Sequence, residues 1–285
     1  MIKQSKIRPE RVWELILACY GTTPFHPGKG TVVAALADKA KFTHPEPSIV
    51  KRRGIVYELD RADLVEREIF YKTYESWETQ VIEKLVKMGW ICADVGANVG
   101  YYTLLLSSLV GDSGAVYAFE PSDRTFAKLN KNVELNNANN VHAHKVALSN
   151  RAGCASLITP ARNAGGAHLA NEGSSVTGKI EVSTLDHFAD SEHIEHLDFI
   201  KVDIEGCECR FLEGAASTIK RFRPTMLIEI NPRGLASFGN TAADIRSFLG
   251  GYDYDSERLS WHGRVSKWTA PPTGEYFNIL ATPKS

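Results

Sequence analysis

The hydrophobic pattern changes period along the chain. From Pro9 to Tyr20 the apolar residues Val12, Trp13, Ile16 and Leu17 recur at helical spacing and Gly21 follows as a stop, which predicts a short packing helix. A second short helix is expected from about Val32 to Lys41, before the breaks at Pro45 and Pro47. "IVYELD", Ile55 to Asp60, reads as a strand, and Trp77 to Met88 as a helix with Val81, Ile82, Leu85 and Val86 on one side.

After Trp90, runs of strand length alternate with helical stretches. Strands are expected at Ile91–Val95, Ala115–Phe119, Val141–Val146, Asp198–Val202 and Thr225–Ile230, with helices near Val99–Leu109, Asp123–Asn136, Glu208–Lys220 and Ala242–Leu249. Such alternation is the signature of a parallel sheet with crossover helices. Two last strands, near Tyr252–Asp255 and Glu275–Ala281, have no clear helix between them, so the final strand should run antiparallel. The expected fold is α/β, a doubly wound, seven-stranded, mostly parallel sheet with a small N-terminal helical extension. Residues 1–54 would form the extension and residues 55–285 the main domain, interrupted at about 150–178 by a polar, Gly-rich insertion of the kind that often covers a site.

Composition narrows the class without deciding it. The 285 residues include 43% hydrophobic and 24% charged positions, and 33 Lys and Arg against 34 Asp and Glu give a net charge of -1. That balance offers no general attraction to nucleic acid or anionic lipid, so neither is expected as a partner. Five cysteines are too few for a disulfide scaffold and fit a reducing cytoplasm. The apolar N-terminal stretch is interrupted by Glu14, so a soluble cytoplasmic protein with no signal peptide or transmembrane segment is expected. An oligomer is compatible with the pattern, but nothing specifies one. In "PGKGT", Lys29 precedes Gly30 instead of Ser or Thr and no strand leads in, which argues against a phosphate loop. Cys207 and Cys209 lack a second pair at zinc spacing and read as packed thiols.

"ICADVGANVGYY" holds the first chemical signal. A strand, a glycine-rich turn and a helix start form the nucleotide-binding position of a doubly wound fold, because glycine lets the ligand approach the backbone and the helix adds its dipole. A dinucleotide fingerprint would read G-x-G-x-x-G; here the stretch is Asp94-Val95-Gly96-Ala97-Asn98-Val99-Gly100. The acid in the first place would repel a pyrophosphate and favour a cationic group. Twenty residues past Gly100, "VYAFEP" ends the next strand in Glu120, placed to accept hydrogen bonds from both hydroxyls of a ribose. A ribose joined to a cation describes S-adenosylmethionine.

Together with "VYAFEPSDRTFAKLNKNVELN", "ALSN", "STLD", "DFIKVDIEGCECRFLEGA" and "RPTMLIEI", the turn resembles the FkbM-type S-adenosylmethionine-dependent methyltransferases, over roughly Tyr57 to Ile230. The resemblance implies a class I, Rossmann-like methyltransferase sheet with the donor across the C-terminal strand ends. It assigns Asp94, Gly96, Ala97, Asn98 and Gly100 to the methionine part, Glu120 to the ribose, Pro121 and Ser122 to the adenosine, and Ala147 and Leu148 to the adenine. Tyr101, Tyr102 and Thr103, at the start of the first helix, would lie near the methionine carboxylate or serve as packing. Tyr74 and Glu75 match a Tyr-Glu pair of the family, making Glu75 a candidate cofactor contact.

"IKVDIEG" places Asp203 at the end of a buried strand and Glu205 two residues on. Methyl transfer to an alcohol needs a group that accepts the hydroxyl proton, and the candidates are Asp203, Glu205 and His168 in the insertion, with Asp203 also a cofactor contact. An alternative, metal-assisted route would use Mg2+ on Asp203, Glu229 and Asn231. The acceptor expected is a small molecule or glycan, with O-methylation of a sugar, glycolipid or secondary-metabolite hydroxyl as first reading and a nitrogen acceptor as second. A nicotinamide-dependent oxidoreductase is the distant alternative, disfavoured by the missing G-x-G-x-x-G.

Overall fold

A computed structural model describes residues 9–21, 23, 28–40, 42, 47–158, 163, 166–169, 179–259, 265–268 and 276–284. They fall into two compact units, Met1–Ser76 and Trp77–Ser285. In the first, α1 (Pro9–Gly21) and α2 (Lys29–Ala40) bury Leu17, Val33 and Ala37 around Tyr71. Strands β1 (Pro47–Arg52) and β2 (Ile55–Asp60) form an antiparallel hairpin followed by α3 (Leu64–Phe70), whose N-cap Asp63 accepts from the Val65 and Glu66 amides. Among the described residues the hairpin pairs only with itself, and it carries α3 with it, so this unit runs to Ser76 instead of ending near residue 54. The Lys29 ammonium donates to the carbonyls of Gly21 and Thr23, at 3.1 and 2.6 Å.

The second unit opens on α4 (Ser76–Leu85) and then alternates: β3 (Ile91–Val95), α5 (Tyr101–Val110), β4 (Ala115–Phe119), α6 (Asp123–Leu135) and β5 (Val141–His144). A small excursion follows, with β6 (Ala147–Leu148), β7 (Gly153–Ile158), β8 (His168–Leu169) and β9 (Lys179–Ser183), before α7 (Leu185–Ser191). The chain continues through β10 (Phe199–Val202), α8 (Glu208–Gly214), α9 (Ala216–Phe222), β11 (Thr225–Ile230), α10 (Pro232–Ser237) and α11 (Ala242–Gly251). It closes with β12 (Tyr254–Leu259), β13 (Val265–Lys267) and β14 (Phe277–Pro283).

The main sheet has the order β13-β12-β14-β11-β10-β3-β4-β5. The strands from β11 to β5 are parallel neighbours, while β14 inserts antiparallel between β11 and β12. These are the seven expected strands plus β13, a three-residue edge strand too short to show a period. The core lies on the parallel strands, where Val95, Phe119, Ile200, Val202, Ile228 and Ile230 are buried with Phe211, Ile219 and Ile245 from the helices. Continuous apolar runs are what strands covered on both faces require.

Three expectations are corrected. The stretch read as one strand from Val141 to Val146 leaves the main sheet after His144, and Ala147–Leu148 joins β9, β7 and β8 in a second, four-stranded sheet. The helix expected from Glu208 to Lys220 is two helices that break at Ala215, next to Gly214, which passes against the Ser149 carbonyl too closely for any Cβ. The insertion read as a surface cover is in part a strand layer, through β7 and β8; residues 159–162, 164–165 and 170–178 lie outside the described residues.

Candidate active site

Strand order reverses between β3 and β10, so the crevice at their C-terminal ends is where a doubly wound sheet binds ligands. The Asp203 amide donates to the Val95 carbonyl at 2.9 Å, which brings the two strand ends together. Just beyond, the Gly96 and Ala97 amides both donate to the Phe119 carbonyl at 3.0 Å, folding the turn back over β4. Gly96 has φ 88°, and a Cβ there would be driven into the Asp203 carbonyl oxygen. Gly100, at φ 90°, is the N-cap of α5 and lies against Leu129 of α6. The two glycines of the opening motif therefore serve close backbone approach and helix packing.

Asp94 is buried at the end of β3, and its Oδ2 accepts from the Thr103 hydroxyl at 2.6 Å. Burial pushes its carboxyl up to about 6, against the Thr103 hydrogen bond and the Lys201 ammonium, while Asp203 and Glu120 add to the rise. Thr103 thus spends its hydroxyl on Asp94. Tyr102 is buried beneath the Lys201 ammonium, 5.2 Å from the ring centre, and the Tyr101 hydroxyl meets that of Thr79 at 3.1 Å.

Glu120 ties the turn to the next strand. Its Oε2 accepts from the Asn98 amide at 2.9 Å, and its Oε1 from the Ser122 amide at 2.9 Å and the Thr125 hydroxyl at 2.7 Å. Oε1 has both lone pairs engaged, so a ribose hydroxyl has Oε2 to use. This narrows the two-hydroxyl contact expected from sequence to a single acceptor atom. Burial raises the Glu120 carboxyl and the three donors hold it down. Pro121 leads into Ser122, the N-cap of α6, and Ala147 and Leu148 are buried in β6. Tyr74 and Glu75 belong to the first unit, where Glu75 has left-handed backbone at φ 34°.

A second set of groups follows β10. Lys201 is fully buried and lies 3.5 Å from the Asp203 carboxylate; one lysine in an otherwise apolar strand was the sequence signal for it, and sequence reasoning passed over it. Glu205 has φ 53°, and its Oε2 accepts from Asn231 Nδ2 at 2.8 Å. Burial and the neighbouring Asp203 raise its carboxyl, and His168 is near enough that its charge would lower it. The His168 ring is held by its Nδ1 contact with the Gly166 carbonyl at 3.0 Å, and its strand β8 pairs with β7. Cys207 and Cys209 are buried thiols pushed up to about 12 by burial, hence protonated packing groups.

Of the donor set proposed for a metal, Asn231 does not fit. Asn231 Oδ1 already accepts from the Arg233 and Gly234 amides at 3.1 and 3.0 Å, capping α10, and Nδ2 has no lone pair to offer. Glu229 sits on β11 beside Asn278 of β14. Asn231 is therefore reassigned from metal ligand to hydrogen-bond bridge.

Glu208 was absent from the sequence candidates. It is fully buried, Oε1 accepts from the Gly206 amide at 2.9 Å, and burial pushes its carboxyl from the ordinary 4.5 to about 7. Between those two values the native state holds a proton the unfolded chain has lost, so stability should fall as pH rises from 4.5 towards 7. The loss from this group is up to about 3 kcal/mol. Urea unfolding of Glu208→Gln should show a shallower decline between pH 5 and pH 8 than the unsubstituted protein; equal declines would remove Glu208 as the source.

Residues 94–256 match the Methyltransferase FkbM domain, more than half of the chain. The chain belongs to the FkbM methyltransferase family. Two curated relatives extend the comparison. Methyltransferase 1 of Beauveria bassiana is 27% identical over 141 residues, covering 42% of this chain and 56% of the relative. Hexuronic acid methyltransferase AglP of Haloferax volcanii is 28% identical over 127 residues, covering 45% and 50%. This FkbM-family chain thus spans about half the length of the curated relatives it matches. Among solved structures, Methyltransferase FkbM from Methylobacillus flagellatus aligns with 14% identity and a TM-score of 0.43, over 97% of this chain and 63% of that one. An rRNA methylase from Streptococcus thermophilus aligns with 12% identity and a TM-score of 0.45, over 73% and 95%. Neither alignment speaks to activity. Among the described residues no helix is long and apolar enough to cross a membrane.

Proposed function

We propose that this chain is an S-adenosylmethionine-dependent O-methyltransferase whose acceptor is a hydroxyl of a sugar, glycolipid or related metabolite. The observation that carries the reading is the pairing of two carboxylate stations at the C-terminal ends of the neighbouring strands β3 and β10: Asp94 with the Gly96 turn, and Asp203 with Glu205 after β10. Membership of the FkbM methyltransferase family supports the donor. The relative named as a hexuronic acid methyltransferase supports a sugar hydroxyl as acceptor.

When bound, S-adenosylmethionine supplies a methyl group made electrophilic by its sulfonium sulfur. The turn from Gly96 to Gly100 fits it through close backbone approach, the buried Asp94 as a partner for positive charge, and Oε2 of Glu120 as a ribose acceptor. Glu205 is the general base of the reading. Its raised carboxyl is a better proton acceptor than an ordinary glutamate, and Asn231 Nδ2 fixes the position of that carboxylate. The Glu205 carboxylate would take the acceptor hydroxyl's proton as that oxygen bonds to the methyl carbon and the methyl–sulfur bond breaks, its electron pair remaining on sulfur. Asp203, neutralised in part by Lys201, orients the acceptor, and His168 can relay the proton onward. No step is routed through a metal.

The test uses tritiated methyl donor with a panel of methyl glycosides and glucuronosides. Glu205→Gln should lower turnover by about 100-fold or more, the usual range for a lost general base. S-Adenosylhomocysteine affinity by calorimetry should stay within about twofold, since Glu205 is assigned to the acceptor side. Because the base must be ionised, turnover should fall as pH drops through the raised Glu205 value, and the glutamine variant should lose that acid limb. Unchanged turnover in Glu205→Gln would remove it from the reaction.

A further inference from the structure

The amide of Asn231 has only one orientation consistent with its neighbours. Its oxygen must face the two backbone amides of Arg233 and Gly234, because the reverse would set donors against donors. The NH2 group therefore points to Glu205 Oε2 at 2.8 Å and to the Tyr276 hydroxyl oxygen at 3.1 Å, and both of its hydrogens are used. A phenol whose oxygen accepts from Asn231 keeps its own hydrogen for another partner. Among the described residues that hydrogen has no acceptor, and Tyr276 is 54% exposed. Glu205 is in the matching state: Oε2 is taken, while Oε1 makes no hydrogen bond among the described residues and is not sealed from solvent. One amide thus holds a free acceptor and a free donor side by side at an accessible place.

We propose that Glu205, Asn231 and Tyr276 form an acceptor subsite that reads two neighbouring hydroxyls of a polyol ring such as a pyranoside. Glu205 Oε1 accepts the hydrogen of the hydroxyl to be methylated, and the Tyr276 phenol donates to the oxygen beside it. Asn231 is the positioning residue that fixes the distance between them. This selects a vicinal diol over an isolated alcohol, since an isolated alcohol makes one of the two contacts and leaves the tyrosine to water. The assignment rests on the methyl-transfer reading above, which it deepens by naming the acceptor chemistry.

The test is calorimetric binding of methyl β-D-glucopyranoside and methyl β-D-glucuronoside to the full chain loaded with S-adenosylhomocysteine. Tyr276→Phe should bind the preferred glycoside about tenfold more weakly, the effect of one lost hydrogen bond of this kind, with S-adenosylhomocysteine affinity unchanged. One of the monodeoxy glycosides should bind the variant and the unsubstituted protein equally, because each lacks one half of the same contact. Asn231→Asp keeps the oxygen that caps α10 but turns a carboxylate oxygen towards Glu205. It should therefore move the loss of glycoside binding at low pH to higher pH. Equal glycoside affinity for Tyr276→Phe, or no glycoside binding to the loaded protein, overturns the subsite. An unmoved pH dependence in Asn231→Asp overturns the positioning role. Failure of S-adenosylhomocysteine itself to bind overturns the donor reading underneath, a result distinct from the others.

Discussion

Alanine at Gly96 is expected to lower the melting temperature by on the order of 10 °C and to abolish detectable S-adenosylhomocysteine binding, as scanning and titration calorimetry would show. Two independent costs meet there. The backbone sits at φ 88°, where a side chain adds about 1–2 kcal/mol of strain. The new methyl would also be driven into the Asp203 carbonyl, a collision with backbone that can be relieved only by parting β3 from β10. Overpacking of that kind costs about 1–3 kcal/mol, and each kcal/mol moves a unit of this size by about 2–4 °C. Gly239 supplies the control, since it also has positive φ, 75°, but nothing lies within 4 Å of its added Cβ. Gly239→Ala should show the strain alone and leave the ligand bound. If the two variants behave alike, the close approach at the strand ends is not what Gly96 provides.

Much of this arrangement is legible in the chain, for a physical reason. Strands buried on both faces must be apolar throughout, so β3, β4, β10 and β11 announce themselves, and the acids that break those runs, Asp94, Glu120 and Asp203, mark the strand ends. Acids at such ends are costly to bury without partners, which makes them visible as candidates. Lys201 was less visible, because a lysine beside Asp203 in sequence reads as a surface residue until the sheet covers it. The need for glycine at position 214 depends on the Ser149 backbone, a partner no local pattern encodes. Tyr276 is the extreme case. It lies 45 residues from Asn231 and reaches it only because β14 inserts beside β11. Period and composition find elements, but they do not state which loop the antiparallel strand will carry to the site.

Glu120→Gln should weaken S-adenosylhomocysteine at least about 100-fold, although the side chain keeps its size, because the carboxylate does two jobs that an amide cannot combine. It receives three donors, the Asn98 and Ser122 amides and the Thr125 hydroxyl, and the proposed ribose hydroxyl would make a fourth. An amide accepts only at its oxygen, so an NH2 on the Oε2 side confronts the Asn98 amide, and on the Oε1 side the Ser122 amide. Each buried donor left without an acceptor costs about 1–3 kcal/mol. With the nitrogen towards Asn98, the turn that places Gly96 is released and the ribose hydroxyl loses its acceptor. Towards Ser122, the turn survives but the start of α6 is released, and with it Pro121 and Ser122, which the family resemblance sets against the adenosine. The orientations can be separated experimentally. At 100 Kd, a ligand raises stability by about 2.7 kcal/mol, so a variant that keeps its unliganded melting temperature yet gains nothing from S-adenosylhomocysteine has lost the ligand contact alone. A fall in both locates the damage in the turn. Normal ligand stabilisation in Glu120→Gln would mean that the three protein donors are the whole role of Glu120 and that the ribose is held elsewhere.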